Sequence, residues 1–534
     1  MAFDILIRNG RIVDGTGNAW FRADVGIGKG KIGALGDLRY EKGDQVLDAS
    51  GLIVSPGFID IHTHSDTVML VNPTGDSHIQ QGVTMNLMGN CGSSVAPVSE
   101  DMKGRYEETL QKYGLELDWS TLGEFLDRLG KRGVSLNVGS LVGNGTVRMA
   151  AMGMERREPT DKELKEMKKL VANAMKDGAF GLSTGLLYAP SGFAGTDEIV
   201  ELTKVAAEYG GIYATHIRGE GDPLIQAVKE AIEIGERADV PVEIAHHKAM
   251  GTRNWGKVKE TLELIGEARK RGVEVNCDVY AWRAGATGLS AVLPHWVHEG
   301  GTEKMAERLR NPETREKIKR DMAEGLPEWE SFVHEIGWEN IMISSCPSNT
   351  EYEGRMVAEL ASEKGVAPYD FAFDLLIQEL GRVNIIAFGM SEEDVVTVMK
   401  SPYSMIGSDS SAVTPTGFVG EGKPHPRTYG NFVKVLGEYV RDREVLTLEE
   451  AVRKMSSLPA QKLGLLDRGI LRKDAWADIV VFDHDTVASR ATYTNPKQYP
   501  TGVKWVIVNG ILSVENRKHT GVKAGMVLKR PRLL

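Results

Sequence analysis

Histidine, cysteine and aspartate residues stand at several points in the sequence where an apolar segment ends. His62 and His64 close the segment that begins at Phe58. They stand two residues apart, which puts both imidazoles on the same side of an extended backbone, where they can share a metal ion. Other apolar segments end in the same residue types, and the full set is His62, His64, Cys91, His216, His246 and Asp409. The set predicts a metal site at the ends of several strands.

Taken singly, each of these residues has an ordinary structural explanation. A histidine in an apolar strand is usually a hydrogen-bonded core group. Cys91 could fill the core, and Asp409 could cap a turn. Chance does not readily place such residues at the same end of five segments, and a barrel would bring those ends together around one axis. The joint pattern therefore favours metal binding. His246 and His247 are adjacent, and the sequence leaves open which of them is the ligand.

Zinc suits the predicted ligands best. Imidazole, thiolate and carboxylate together are typical of zinc, and a thiolate disfavours magnesium and calcium. Zinc has no redox chemistry, so we expect hydrolysis, in which the ion lowers the pKa of bound water to ~7 and polarises a carbonyl. Asp409 would then be the general base that takes the proton of the water and passes it to a leaving nitrogen.

Strands whose ends converge are needed to position these residues, and the chain beyond residue 51 supplies a suitable pattern. Apolar runs typical of strands buried on both faces alternate with amphipathic helical segments. One helix is predicted over 161–176, where Thr160 and Glu163 form a capping box and Gly178 ends the helix. The pattern predicts a (β/α)8 TIM-like barrel. The predicted strands are Ile53–His62, Val83–Met88, Ser135–Leu141, Ala179–Leu182, Gly211–His216, Pro241–His246, Val273–Val279 and Ser404–Ile406.

The two ends of the chain read as short strands, with Asn9-Gly10 and Asn509-Gly510 as hairpin turns. They predict a small β-sandwich or β-barrel domain built from both termini. Between the seventh and eighth barrel strands, Glu303–Arg310 and Glu313–Glu324 have helical patterning. This stretch predicts a helical insertion, which could be a moving lid or a surface decoration. The predicted boundaries are 1–55 and 468–534 for the β domain and 56–467 for the barrel, with the insertion at about 287–345.

The composition excludes several classes of protein. The 534 residues carry a net charge of −10, whereas binding a nucleic acid needs a basic face. No stretch approaches the ~20 apolar residues of a membrane span, and we expect no membrane partner. Met1 is not followed by a signal-peptide pattern, so a cytoplasmic location is expected. Three cysteines imply no disulfide framework, and the oligomeric state stays open.

Longer motifs surround the candidate residues over nearly the full length of the chain. They are Pro56-Gly57-Phe58-Ile59-Asp60-Ile61-His62-Thr63-His64-Ser65-Asp66, Gly89-Asn90-Cys91-Gly92, Gly181-Leu182-Ser183-Thr184-Gly185-Leu186, Thr215-His216-Ile217-Arg218, His246-His247-Lys248, Met405-Ile406-Gly407-Ser408-Asp409, Pro424-His425-Pro426-Arg427 and Ser456-Ser457-Leu458-Pro459-Ala460. Together they resemble the D-aminoacylase (N-acyl-D-amino-acid deacylase) family of the amidohydrolase superfamily. Most of that superfamily uses a carboxylated lysine after the fourth strand. Here that strand ends in Ser183-Thr184-Gly185, which supports Cys91 as the anionic ligand.

The resemblance implies specific roles. A tighter zinc would be held by Cys91, His216 and His246, and a second, often weaker position would be formed by His62, His64 and Cys91. One or two zinc ions are therefore expected. The substrate would be a small N-acyl-D-amino acid, cut into a carboxylate and a free D-amino acid. The resemblance implies that Arg427 and Lys248 bind the substrate carboxylate and that Tyr280 contributes its hydroxyl.

Two segments depart from the family pattern and leave the specificity open. They are Ala281-Trp282-Arg283 and Ser410-Ser411-Ala412, and both are expected to border the substrate. Arg283 could favour an acidic side chain or could point to solvent. Hydrolysis of a cyclic amide or a dipeptide is an alternative activity, although the missing lysine disfavours the cyclic amide. A scaffold that has lost its metal is a further alternative, which the complete ligand set disfavours.

Overall fold

The computed structural model describes residues 2–326 and 329–531. Strands and helices alternate through most of this chain, and a β-rich part flanks them. The strands are β1 (Ala2–Ile12), β2 (Phe21–Gly28), β3 (Lys31–Gly36), β4 (Lys42–Asp48), β5 (Ile53–Pro56), β6 (Phe58–Asp60), β7 (Val83–Met88), β8 (Asn137–Ser140), β9 (Val142–Gly143), β10 (Gly181–Gly185), β11 (Ile212–His216), β12 (Val242–Ile244), β13 (Val275–Val279), β14 (Gly285–Gly288), β15 (Ile341–Ser345), β16 (Asn384–Ala387), β17 (Ser404–Ile406), β18 (Ile479–Phe482), β19 (Val503–Val508), β20 (Ile511–Glu515) and β21 (Lys518–His519).

The helices lie mainly between the central strands. They are α1 (Val68–Val71), α2 (Asp76–Ile79), α3 (Glu100–Gln111), α4 (Leu122–Arg132), α5 (Asn144–Met152), α6 (Asp161–Asp177), α7 (Thr196–Glu208), α8 (Leu224–Ala238), α9 (Val258–Lys270), α10 (Thr302–Arg310), α11 (Pro312–Glu324), α12 (Phe332–Ile336), α13 (Val357–Glu363), α14 (Pro368–Gln378), α15 (Glu392–Lys400), α16 (Arg427–Lys434), α17 (Leu448–Met455) and α18 (Ser457–Lys462). A π-helical stretch, Val435–Asp442, continues α16. Among the described residues no helix is long and apolar enough to cross a membrane.

Strands from both ends of the chain form one β-rich domain, as predicted. In the described chain, a nine-stranded sheet has the order β21-β20-β19-β18-β5-β1-β2-β3, with β4 also paired to β1. The antiparallel pair of β18 and β5 joins the two ends. The apolar face of this sheet buries residues from both ends, such as Ile7, Val25, Val481 and Trp505. Mixed α/β architecture with a separate β-rich domain is therefore confirmed.

Parallel strands form the central part of the molecule. One sheet has the order β6-β7-β8, and the other has the order β17-β13-β12-β11-β10-β9, so neighbouring strands follow each other in the chain except where β17 joins β13. Every pairing within these two sheets is parallel. Beyond the ends of β17 and β6, the Asp409 N–H donates to the His62 carbonyl over 2.9 Å, and the His64 N–H donates to the Ser410 carbonyl over 2.9 Å.

The predicted first strand, Ile53–His62, is wrong as a single element. It is divided at Gly57 into β5, which belongs to the β-rich sheet, and β6, which belongs to the parallel sheet. The Gly57 N–H donates to the Asp478 carbonyl over 2.8 Å, and a β-carbon at this position would lie 2.2 Å from Cγ2 of Thr84. The close contact requires glycine, and it lets one apolar run pass from one sheet to the other.

The long connection between β13 and β17 contains more than the predicted helices. Helices α10 and α11 match the helical patterning that the sequence shows. The connection also contributes an antiparallel sheet of order β14-β16-β15, which was not predicted. Two carboxylates attach the connection to the loop after β11, because Glu330 accepts the Glu220 N–H over 2.6 Å and Glu335 accepts the Asp222 N–H over 3.1 Å.

Candidate active site

Three of the candidate ligands surround the sulfur of a fourth, Cys91. The Cys91 Sγ lies 3.3 Å from Nε2 of His62, 3.7 Å from Nε2 of His246 and 4.0 Å from Nδ1 of His216. Sulfur and nitrogen ligands of a tetrahedral zinc ion stand about 3.5 Å apart, so these separations suit a shared zinc ion. Three groups within the described chain have ligand atoms within 4.8 Å of one another: His62, His64 and Cys91; Cys91, His216 and His246; and His62, His246 and Asp409.

Left-handed backbone conformations direct three of these side chains toward the common point. The φ angle is 50° at Cys91, 36° at His246 and 49° at Asp409, a region that residues other than glycine seldom adopt. The turn at Cys91 also needs a neighbour without a side chain, because a β-carbon on Gly185 would lie 2.1 Å from the Cys91 carbonyl oxygen. Such conformations are concentrated at functional sites.

Two buried carboxylates orient the imidazoles. Glu220 Oε1 lies 2.8 Å from Nδ1 of His246, and Asp278 Oδ2 lies 3.2 Å from Nδ1 of His62. In both histidines Nε2 is then the nitrogen that faces Cys91. Hydrogen bonds of this kind fix the ring and make it a better metal ligand. Sequence reasoning missed both carboxylates, although Glu220 follows a predicted strand closely and Asp278 lies within one.

The structure shows which of the two adjacent histidines, His246 or His247, faces the cluster, a choice that the sequence left open. His247 Nε2 lies 2.7 Å from the Thr261 hydroxyl, so this ring faces α9 and not the cluster. His246 packs against His216, with ring centroids 4.5 Å apart. Nε2 of His216 is buried and has no hydrogen-bond partner among the described residues. Of the adjacent pair, His246 is therefore the one that joins the cluster.

The charges in the cluster suit a thiolate. Burial disfavours ionisation of Cys91, but the charge of His62 and hydrogen bonds from His216 and His246 outweigh burial and hold the thiol pKa well below its ordinary value. Burial likewise lowers the pKa of His62, but the charges of Cys91 and Asp278 outweigh it and raise that pKa well above its ordinary value. A dense group of buried ionisable residues is typical of a functional site.

Asp409 lies beside the histidines and is paired with Arg427. Its Oδ1 is 3.2 Å from Nε2 of His64 and 3.6 Å from Nε2 of His62, while its Oδ2 is 2.8 Å from Nη2 of Arg427. Burial raises the pKa of Asp409, but the charges of Arg427 and His246 outweigh burial and leave the pKa well below its ordinary value. The carboxylate is therefore ionised and available to accept a proton.

A cavity of about 550 Å³ opens next to the cluster. The Arg427 guanidinium stacks 4.5 Å from the centre of the Tyr280 ring, and its Nε and Nη1 atoms are buried without hydrogen-bond partners in the described structure. Lys248 lies 5.6 Å from the same ring and is paired with Glu220 at 2.5 Å. Burial raises the pKa of the Tyr280 hydroxyl well above its ordinary value, so this group remains a donor. All three residues that the resemblance implied for substrate binding line this cavity.

The sequence model described as "Amidohydrolase family" matches residues 45–513. The chain belongs to the amidohydrolase family. D-aminoacylase from Alcaligenes xylosoxydans xylosoxydans is 36% identical, with 99% of this chain and 98% of that protein covered. N-acyl-D-glutamate deacylase from the same organism is also 36% identical, with 99% and 96% covered. These full-length matches confirm the resemblance to the D-aminoacylase branch of the amidohydrolase family.

A solved structure of a related enzyme has a similar fold. N-acyl-D-glutamate deacylase from Bordetella bronchiseptica was crystallised with zinc and with a phosphonate inhibitor that mimics the tetrahedral intermediate of the reaction. It is 34% identical to this chain and superimposes with a TM-score of 0.83, covering 99% of this chain and 100% of that one.

Proposed function

We propose that this amidohydrolase hydrolyses the amide bond of N-acyl-D-amino acids with the help of zinc, releasing a carboxylate and a free D-amino acid. One observation carries the proposal. Cys91 faces three imidazole nitrogens at 3.3 to 4.0 Å, and Asp409 and Arg427 stand directly beside them. The names of the full-length relatives support the substrate class, and the zinc complex of a structural relative supports the metal.

In this proposal, Cys91, His216 and His246 hold one zinc ion. His62, His64 and Cys91 form a second position, so one or two ions are accommodated. When bound, zinc would polarise the amide carbonyl and lower the pKa of water. Glu220 and Asp278 keep the rings of His246 and His62 in the orientation that binding needs.

Asp409 transfers the proton, and Arg427 binds the substrate. Asp409 Oδ1 accepts a proton from water and delivers it to the leaving nitrogen, while Oδ2 stays anchored to Arg427. The Nε and Nη1 atoms of Arg427 lack partners, and each of them shares one edge of the guanidinium with Nη2. The α-carboxylate of the substrate binds in a bidentate way along the edge that Asp409 leaves open. Tyr280 donates its hydroxyl and Lys248 adds positive charge. Burial of these groups strengthens each electrostatic contact because little water screens it.

We also propose that the parallel strands close into a single (β/α)8 barrel, with an insertion between its seventh and eighth strands. The bridge between Thr63 and Ser410 supports closure, because it links the ends of β6 and β17. A second support is one apolar cluster that contains side chains from the first to the last strand of the proposed barrel. It includes Ile59 from β6, Phe180 just before β10 and Met405 from β17. The domain boundaries 1–55, 56–467 and 468–534, with an insertion at about 287–345, are part of this proposal.

Paired N-acetyl-D- and N-acetyl-L-amino acids test the proposed function, with zinc measured on the same sample. We expect hydrolysis of the D-series and bound zinc. Asp409→Asn should lower kcat by about 10²- to 10⁴-fold while zinc stays bound, because the proton transfer is lost and Cys91, His216 and His246 are unchanged. Asp394→Asn is the control, since Asp394 is also buried but accepts the Gly256 N–H outside the cavity. A protein without zinc, or full activity in Asp409→Asn, would contradict the proposal.

A further inference from the structure

The cavity beside the cluster also bears on the side chain of the substrate. Relatives named D-aminoacylase and N-acyl-D-glutamate deacylase are equally identical to this chain, so identity does not choose between neutral and acidic side chains. The charges that line the cavity can make that choice. The inference rests on the proposed function, because it assumes that the cavity receives an N-acyl-D-amino acid.

Apart from histidines, the only cations among the described cavity-lining residues are Lys248 and Arg427. Lys248 is paired with Glu220, and its Nζ also lies 2.7 Å from Nδ1 of His246. Arg427 gives Nη2 to Asp409 and keeps Nε and Nη1 without partners. Each edge of a guanidinium pairs Nη2 with one of these two nitrogens and matches one carboxylate, and the α-carboxylate of the substrate needs the edge that Asp409 leaves open.

The rest of the cavity wall is uncharged where it is formed by the long connection. Ala286 and Thr287 come from β14, Ile385 and Ala387 come from β16, and Phe332 opens α12. Thr287 donates a hydrogen bond to the Tyr188 hydroxyl over 3.1 Å, and the Tyr188 ring centroid lies 5.0 Å from that of His216. Through Tyr188, this wall therefore adjoins the candidate metal ligand His216, where a side chain of the substrate can reach it.

Nearby cations outside the cavity face other groups. The side chain of Arg283 is 67% exposed and lies 3.9 Å from Glu392, and Arg283 does not line the cavity. Lys423 donates to the carbonyl of Glu353 over 2.8 Å and does not line the cavity either. Of the two possibilities that the sequence left open for Arg283, the structure favours solvent.

From this charge distribution we infer that the enzyme prefers N-acyl-D-amino acids with uncharged side chains and discriminates against those of D-glutamate and D-aspartate. An acidic side chain would lose its water without gaining a cation, because Glu220 already pairs with Lys248 and Asp409 already pairs with Arg427. Unpaired charge in a buried site is a strong basis for discrimination. We expect kcat/KM for N-acetyl-D-leucine to exceed that for N-acetyl-D-glutamate by at least about 100-fold.

The test compares kcat/KM for N-acetyl-D-leucine, N-acetyl-D-methionine, N-acetyl-D-glutamate and N-acetyl-D-aspartate on the zinc-loaded enzyme. Calorimetry then compares the Kd values of phosphonate analogues that carry the D-leucine and the D-glutamate side chain. Acidic substrates or the acidic analogue on a par with the neutral ones would overturn the inference. Tighter binding of the neutral analogue without any turnover would support the inference and contradict only the proposed function.

If the absence of a cation causes the preference for uncharged side chains, a single added cation should shift that preference toward acidic substrates. Thr287→Lys places a cation on the wall, and Thr287→Met is the matched control because it has similar length without charge. We expect Thr287→Lys to raise the glutamate-to-leucine ratio of kcat/KM by about tenfold or more, and Thr287→Met to leave that ratio nearly unchanged. Equal ratios in the two variants would count against a charge-based preference.

Discussion

Single residues with unfavourable backbone conformations determine the arrangement of the candidate metal ligands. Cys91, His246 and Asp409 have φ angles between 36° and 50°, and each such conformation costs on the order of 1–3 kcal/mol. Hydrogen bonds hold these conformations in place, because Asp278 accepts the His246 N–H over 3.0 Å and the His62 carbonyl accepts the Asp409 N–H over 2.9 Å. These hydrogen bonds fix the backbone from which the side chains of His246 and Asp409 reach the cluster.

Glu220 offers a direct test of how the ligands are supported. Its carboxylate contacts both His246 Nδ1 and Lys248 Nζ. Glu220→Gln removes the charge that orients the imidazole, so zinc affinity should fall by about 10- to 100-fold, as measured by competition with a chelator. Glu198→Gln is the matched control, since Glu198 also pairs with a buried cation, Arg148, and neither residue lines the cavity.

The two variants should differ in kind. Glu198→Gln should reduce thermal stability and leave zinc affinity unchanged, because an unpaired Arg148 stays buried. Equal zinc affinities in Glu220→Gln and the native enzyme would show that the carboxylate only fills space. The sequence could not reveal this residue, because Glu220 owes its role to side chains that the fold brings close, whereas each ligand ends a recognisable strand.

At the level of elements, local signals predicted structure well where no distant contact overrode them. The capping box of Thr160 and Glu163 begins α6, and Gly178 ends it with a φ of 113°. Asn509-Gly510 forms the predicted turn between β19 and β20, with both φ angles positive. The identical pair Asn9-Gly10 was predicted as a turn, and that was wrong. Asn9 has a φ of 61° within continuous strand β1, where the register shifts, because β2 and β5 pair with the residues beyond it.

The long connection gives a prediction about pH at the scale of an element. Glu330 anchors the segment before α12 to the Glu220 N–H, and burial together with the charge of Glu220 raises the pKa of Glu330 to about 8. An unfolded glutamate has a pKa of about 4.3. Between these values the folded chain holds a proton that the unfolded chain lacks, so the contribution of Glu330 to stability falls as pH rises, by about 1.4 kcal/mol per pH unit.

Glu330→Gln keeps an acceptor for the Glu220 N–H and cannot ionise. Relative to the native enzyme, its thermal stability should therefore improve steadily from about pH 5 to pH 8 and then level off. Glu339→Gln is the control, because Glu339 lies in the same connection and does not line the cavity. A stability difference between Glu330→Gln and the native enzyme that does not change with pH would contradict the raised pKa.

For the whole molecule, the arrangement of the β-rich domain on the central strands depends on contacts that no sequence pattern announced. Asp478, at the start of β18, pairs with Arg468 and accepts the Asn137 side-chain amide over 3.2 Å. Asn509 donates to the Asn137 side chain over 2.7 Å, so a residue predicted only as a turn also joins two domains. Asn137 begins β8, at the end of the strand opposite the cluster, where residues typically serve stability.

Asp478→Asn tests this network at the scale of the whole molecule. It leaves the Arg468 guanidinium buried without a charged partner, which typically costs about 3–5 kcal/mol. Because a chain of this size seldom unfolds reversibly, the measurement is the half-life of activity at elevated temperature, which should shorten severalfold or more.

Glu393→Gln is the control, because it removes an exposed ion pair with Lys259 and should change the half-life little. Since neither Asp478 nor Arg468 lines the cavity, kcat at low temperature should stay native. Equal half-lives for the two variants would mean that the hydrogen bonds of Asn137 and Asn509 hold the domains together without the ion pair.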